Sequence, residues 1–586
     1  MKRVRWLALV AVLALIVTAC AEEGAGDTTT TAGGEATTTA APEATTTSAD
    51  AGTSFEGLTL ESGGCGRDLG FARPNGDPAT YDGKIDSIAA TAANEVVFTL
   101  CSQDPAFLAK IAFIPFGVHP AEHLEATEGA PLENPVGTGP FMLPEGGWAR
   151  GSEIVYQANP DYWGEVPAFD TLVFRWRDSS TARITEITSG NADFITNLAA
   201  SDYATIEGDS NLVLLPDLNP NVFYVGFNVN YPPFDNVQVR QAVAMGVDRQ
   251  RIIDTFYPSG SEVATHFTPC IIENACEGEP FYEFDPEGAR ALLAEAGFPD
   301  GFDTTIKLRD VFRVYLPEPT AVAEDIRAQL AENLGINATI EVMESGAFLE
   351  ENAAGTQQGI HLLGWGADYP HVTNFLDFHF GGGNIQFGDP FPEIVDVLAE
   401  GARTTDPAAA QPIYEEANNL LRENVPMFPV AWGAAADAAL TTVENAQVPP
   451  VGAPQFATMN PGDADLVFVQ NAEPISLYCP DETDGESLSA CEQVMESLYG
   501  YGLDGGVVPK LATECAPDES GLVWTCTLRE GVTFHDGSTF DANDVVTTWS
   551  VGLDATNPLH TGNSGVFQYF SYLWGGLINE QAPAES

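Results

Sequence analysis

The stretch His361-Leu-Leu-Gly-Trp-Gly-Ala-Asp-Tyr-Pro370 decides how the rest of the chain is read. A short apolar run ends in two glycines, an indole, one carboxylate and a proline. Such a run is the end of a buried strand opening into a loop. Gly364 and Gly366 have no Cβ, so a ligand can come close to the backbone there. Trp365 offers a flat apolar wall with a single donor, and Asp368 a fixed negative charge. The set suits a small molecule with a positive end. Taken alone, Gly366 to Asp368 is better read as a tight turn whose aspartate caps its own backbone. The remainder of the chain shifts that balance.

A chain of 586 residues, 44% of them hydrophobic, has room for several domains and a large core. Against 84 acidic residues stand 23 basic ones, a net charge of -61. Such a surface repels nucleic acid and anionic lipid, and it fits surroundings of high ionic strength. Lys2, Arg3 and Arg5 precede a short apolar stretch from Trp6 to Val17. That stretch is too short to span a bilayer and fits an export signal. Val17-Thr18-Ala19-Cys20 resembles the lipobox of bacterial lipoproteins, which implies a signal over residues 1–19 and lipidation of Cys20. Residues 20–54, rich in Thr and Ala, cannot bury an apolar face and are expected to be a disordered tether. No later stretch is long and apolar enough to cross a membrane.

The eight cysteines left after Cys20 suggest disulfides in an exported protein. Neighbours in sequence pair Cys270 with Cys276, Cys479 with Cys491 and Cys515 with Cys526, leaving Cys65 for Cys101. Spacing alone does not fix this connectivity. No Cys-x-x-Cys occurs, so a zinc ribbon has little support.

Along the chain, strand and helix signals alternate, as in an α/β protein. Glu95–Leu100 reads as a strand, and Asp104-Pro105 opens a helix through Phe113. Leu172, Phe174 and Trp176 alternate as in a half-buried strand, and a helix with Ile184 and Ile187 stops at Gly190. Val222–Val229 is an apolar strand. Helices begin near Asp235, Asp248 and Asp285, and Ala321–Leu334 is amphipathic.

Five stretches stand in one order: NPVGTGPF at 134–141, DYWGEVPAFDTLVFRW at 161–176, PPFDNVQVRQAVAMGVDRQRI at 232–252, FDPEGARALLAEAGFPDGF at 284–302 and GWGADYP at 364–370. They resemble the peptide- and nickel-binding family of extracellular solute-binding proteins that serve ABC importers. LVFVQNAEPISL, beginning at Leu466, and WTCTLREGVTFHDGSTFDANDVVTTW, beginning at Trp524, resemble the family's opening segments, yet here they come last. The simplest account is a circular permutation, with the usual order cut after Ile578. A truncated tandem copy is disfavoured, because the first part has no REGVTFHDG hairpin of its own.

The resemblance implies a two-lobed, type 2 periplasmic-binding-protein-like α/β fold with an additional small domain. The expected division is 55–135 with 496–586 as the small domain, 136–240 with 431–495 as lobe I, and 241–430 as lobe II. It implies an extracytoplasmic, lipid-anchored receptor that closes by hinge motion. Its partners would be a short peptide and an ABC permease. It would be a monomer, touch the membrane through its anchor alone, bind no nucleic acid, use no cofactor or metal and catalyse nothing.

In peptide-binding relatives, the aspartate of a GW…D loop holds the ligand amine. Asp368 matches it, with Trp365 and Gly364 beside it. Arg313-Val-Tyr315 resembles a loop whose arginine takes the ligand carboxylate, with Arg309 as competitor. Glu473 matches a region that lines the peptide backbone. The loop continues Tyr369-Pro-His371, where relatives often carry a second acid.

Alternatives are a receptor for a nickel chelate or oligosaccharide and, in another class, a secreted carboxylate-pair hydrolase. His119 and His123 could share a helix face, but no His-Glu-x-x-His accompanies them. They, His371 and His379 read as surface or turn residues. There is no Gly-x-Ser-x-Gly elbow and no phosphate loop.

Overall fold

Three sheets organise the computed structural model, which describes residues 55–72, 78–462 and 465–580. The signal segment, Cys20 and the tether lie outside these residues.

The first sheet is built around Asn221–Phe227 and Ile360–Gly366, antiparallel, with Asn221 opposite Gly366 and Phe227 opposite Ile360. Every residue of Asn221–Phe227 is buried. A run without polar alternation is what a strand covered on both faces requires. Met427–Trp432 pairs on one side, and Asp303–Arg309 with Asn337–Met343 extends the other in parallel. Helices pack into the same core, among them Pro286–Glu295 and Pro319–Leu334. Asp285 caps the former by accepting from the Gly288 N–H at 2.9 Å. Gly335, in the left-handed region, ends the latter.

The second sheet has the order Leu212–Asp217, Ala435–Leu440, Phe194–Ile195, Leu466–Gln470, Thr171–Trp176, Glu153–Ala158 and Phe141–Met142. Leu466–Gln470 runs parallel to both neighbours, with Phe468 opposite Phe174 and Phe194. Without this late segment the sheet would split in two. The third sheet orders Thr59–Glu61, Ile85–Ala92, Glu95–Leu100, Val523–Leu528 and Ala512–Pro517. Here too the late strand Val523–Leu528 pairs with the early Glu95–Leu100. Trp549 and Trp574 fill the core beneath, Trp549 stacking on Phe116 with ring centroids 5.1 Å apart. Residues 465–580 are therefore woven into the body formed by the earlier chain.

Two crossings join the lobes, Asp217 to Asn221 and Trp432 to Ala435. The buried Asn221 amide ties them together. Its Nδ2 donates to the Asn219 and Gly433 carbonyls, both at 2.7 Å, and its Oδ1 accepts from the Gly433 N–H at 2.9 Å. The expected division puts lobe II at 241–430, whereas its sheet reaches past both ends of that range. The strands Asn221–Phe227 and Met427–Trp432 both belong to the sheet of lobe II. The buried strand Asn221–Phe227 lies in the middle of that sheet.

The disulfides join Cys65 to Cys101, Cys270 to Cys276, Cys479 to Cys491 and Cys515 to Cys526. The histidines depart from their surface assignment. His119 and His379 are buried, and His361 is as well. His119 precedes the helix Ala121–Ala126 that carries His123, so the two share no helix face. Burial holds the His119, His361 and His379 rings neutral, with pKa values pushed down to about 3. Among the described residues, the groups of metal-ligating type consist of disulfide-bonded cysteines beside His266 or Asp86, whose sulfurs are not free thiolates. No helix among the described residues is long and apolar enough to cross a membrane.

Candidate functional site

The strand Ile360–Gly366 runs out of its sheet at Gly366, and the next residue is tied back to the lobe crossing, the Ala367 N–H donating to the Pro220 carbonyl at 2.8 Å. The chain then turns into the helix Val372–Phe380, capped by the His371 ring, which accepts from the Thr373 N–H. Asn374, in the first turn of this helix, fixes the loop. Its Oδ1 accepts from the Trp365 indole and from the Asp368 N–H, each at 3.1 Å, and its Nδ2 donates to Asp368 Oδ2 at 3.1 Å. The carboxylate is thus held by another residue and does not close its own turn.

Asp368 faces a cavity of about 470 Å³ between the lobes, a size that suits a small ligand. Lobe I contributes Asp437 and Gln470 to the walls, and the late-chain part of the small domain contributes Tyr501 and Tyr569. The Tyr569 hydroxyl lies beside Asp368 and favours its charged form. Burial pushes the Asp368 carboxyl up to about 6, against the opposing pull of the bonds from Asn374 and Tyr569. The next residue, Tyr369, is buried in the small-domain core, with Lys110 Nζ 5.4 Å from its ring centroid. Lys110 itself is paired with Asp104 at 2.6 Å. The loop therefore spans lobe II and the small domain and holds Asp368 at their junction.

The other residues expected at the site lie around this centre. Trp365 stacks on Phe378, centroids 4.4 Å apart, and forms a layer behind the loop. Gly364 makes room for protein: a Cβ there would sit 2.3 Å from the Tyr315 ring and 2.5 Å from the Val222 carbonyl oxygen. Tyr315 is locked in turn by the Tyr257 hydroxyl, which donates to its carbonyl at 2.6 Å. Arg313 is exposed and donates to the Phe312 carbonyl. Arg309 donates to Ser345 Oγ at 3.1 Å and lies 3.4 Å from the Tyr315 hydroxyl. Glu473 accepts from Trp148 Nε1 at 3.3 Å and from the Gly151 N–H at 2.8 Å, pinning a turn of lobe I. None of these lines the cavity.

Sequence reasoning passed over Asp437. It lies in the buried strand Ala435–Leu440, where its Oδ1 accepts from Thr196 Oγ1 at 2.8 Å and the Asn197 N–H at 2.9 Å. A lone acid inside Ala-Ala-Asp-Ala-Ala-Leu was the available signal, since a buried carboxylate is costly without a purpose.

A two-lobed body with a carboxylate-bearing cavity between its lobes is the architecture of a solute receptor. The family model for bacterial extracellular solute-binding proteins, family 5, middle, matches residues 44–387 and 506–568, and the chain belongs to that family. It is 29% identical to di/tripeptide-binding protein 1 of Pseudomonas aeruginosa over 65% of this chain and 72% of that protein. It is 30% identical to heme-binding protein A of Haemophilus influenzae over 59% of this chain and 64% of that one. Among solved structures, a dipeptide-binding protein of a Pseudoalteromonas species in complex with Met-Leu superposes with a TM-score of 0.52 at 26% identity, over 65% of this chain and 76% of that one. The members of this family are substrate-binding proteins.

Proposed function

We propose that the protein is an extracytoplasmic, lipid-anchored receptor that takes a short peptide by its amino terminus and hands it to an ABC permease. The observation that carries this reading is Asp368, a half-buried carboxylate facing the cavity at the lobe junction, held by the neutral amide of Asn374. An ammonium group brought there makes a charge-assisted hydrogen bond with a carboxylate that no cation already neutralises. The peptide-binding relatives support the same reading and favour it over a nickel-chelate or oligosaccharide receptor and over a hydrolase. Lipidation of Cys20 is part of the proposal, and mass spectrometry of the mature amino terminus tests it.

The family order is, in our reading, circularly permuted. The late end of the body abuts its beginning: Arg67 Nη2 donates to Asn579 Oδ1 at 2.9 Å, and the Lys84 N–H donates to the Trp574 carbonyl at 2.7 Å. That adjacency supports a chain that elsewhere runs straight from one to the other.

The direct test of function is thermal stabilisation by a dipeptide panel. Binding to the native state raises Tm in proportion to the logarithm of ligand concentration over Kd. Stabilisation by dipeptides that is lost in Asp368→Asn supports the reading. A flat panel, with release of product from a glycoside or ester substrate, would replace it with the hydrolase.

A further inference from the structure

We infer that the cavity selects a dibasic guest, a short peptide whose amino terminus and one lysine or arginine side chain are held by carboxylates on opposite lobes. This rests on the peptide reading above and names the substrate class of that same site. Five carboxylates line the cavity: Asp368 from lobe II, and Asp217, Asp437, Glu486 and Glu492 from the lobe I side. Among the described residues, no lysine, arginine or histidine lines it. The chain's general acidity does not account for this. Acids on the surface are solvated cheaply, whereas acids brought together in an enclosed space repel one another and lose hydration.

Arg183 and Lys510, whose charges reach Asp437 and Glu492, do not line the cavity and are already committed. Arg183 spends its guanidinium on the carbonyls of Thr196, Arg177 and Asn197 at 2.8, 2.6 and 2.5 Å. Lys510 is 3.9 Å from Glu496 and faces a separate cavity of about 290 Å³. Burial raises the pKa of both Asp217 and Asp437, and the charge of Asp217 raises that of Asp437 further. Burial also pushes Glu492 up to about 7. A cation between such groups relieves both the repulsion and the lost hydration.

A separate observation concerns Gln470. It is 1% exposed and lies on the same wall. Its Nε2 donates to the Ala472 carbonyl at 2.9 Å, while its Oε1 accepts nothing. An unfilled buried acceptor beside carboxylates asks for a donor, which an ammonium or guanidinium supplies in excess.

The experiment is calorimetric titration of the full protein with Lys-Ala, Ala-Lys, Ala-Ala, Glu-Ala and cadaverine at low salt and pH 7.5. The expected result is that at least one lysine dipeptide binds tenfold or more tighter than Ala-Ala, and Glu-Ala more weakly still. Glu486→Gln and Asp437→Asn should each shrink the lysine-to-alanine ratio, the first guarding against misfolding of the second. Equal affinity for Ala-Ala and the lysine peptides overturns dibasic selection and leaves the peptide receptor standing. Binding of cadaverine alone, or of none of these compounds, overturns both.

Discussion

Asp368 is a carboxylate whose partners are all neutral, and that is what makes it useful. The amide of Asn374 orients it, and the hydroxyl of Tyr569 stands beside it, without neutralising it. Asp368→Asn keeps the shape and removes the charge. Truncating one side of a buried charged contact costs about 2 kcal/mol or more, so peptide affinity should fall ~30-fold or further by calorimetry. The apo protein should not lose Tm, because a desolvated charge has gone. The acid was legible in the sequence because glycines and an indole break an apolar strand just before it. Tyr569 was not. Its role comes from a contact between residues two hundred positions apart, and nothing in its neighbours marks it. Arg313 shows the converse. Its motif is visible in sequence, yet its guanidinium turns to its own backbone.

At the scale of elements, local chemistry was the more readable part. Asp248 and Asp285 cap the helices that their positions announced. Gly190, at φ 72°, ends the stretch after the helix Ser180–Thr188. The apolar run Val222–Val229 reads as a strand, and the structure has one at Asn221–Phe227, but hydrophobicity reports burial and not the sheet in which it occurs. The clamp that Asn221 makes across the two crossings was not legible at all. Asn221→Ala would strand the Gly433 N–H and carbonyl in a buried position, a loss of about 1–3 kcal/mol. Chemical denaturation should show that loss. Hydrogen exchange should quicken at residues 219–221 and 433–435, the segments that hinge the lobes.

At the scale of the molecule, two predictions follow from how the pieces are assembled. A re-ordered chain that starts at Asp465, passes from residue 580 into residue 55 through a short linker and ends at residue 462 keeps every strand pairing. It should fold with a Tm within a few degrees of the parent and bind the same peptides. Two separate unfolding transitions would show instead that residues 465–580 form a body of their own.

The second prediction concerns pH. Burial raises Asp377, Glu492 and Asp544 to about 7, above their values in the unfolded chain. Such groups bind more protons folded than unfolded, so their contribution to stability is present at lower pH and is lost as pH rises through 7. The buried histidines, with lowered pKa values, act in the opposite sense below pH 6.5 and are neutral in both states above it. Between pH 6.5 and 8, thermal unfolding should therefore move to lower temperature, and Asp544→Asn should flatten that slope.

The most direct test compares a lysine dipeptide with its Nα-acetylated form by calorimetry at pH 7.5. Acetylation removes the charge at the amino terminus and keeps the side-chain ammonium. Binding of the free dipeptide, weakened ~30-fold or more by the acetyl group and weakened no further by it in Asp368→Asn, is the predicted result. Equal affinity for the two forms would contradict the assignment of Asp368 as the anchor of a peptide amine.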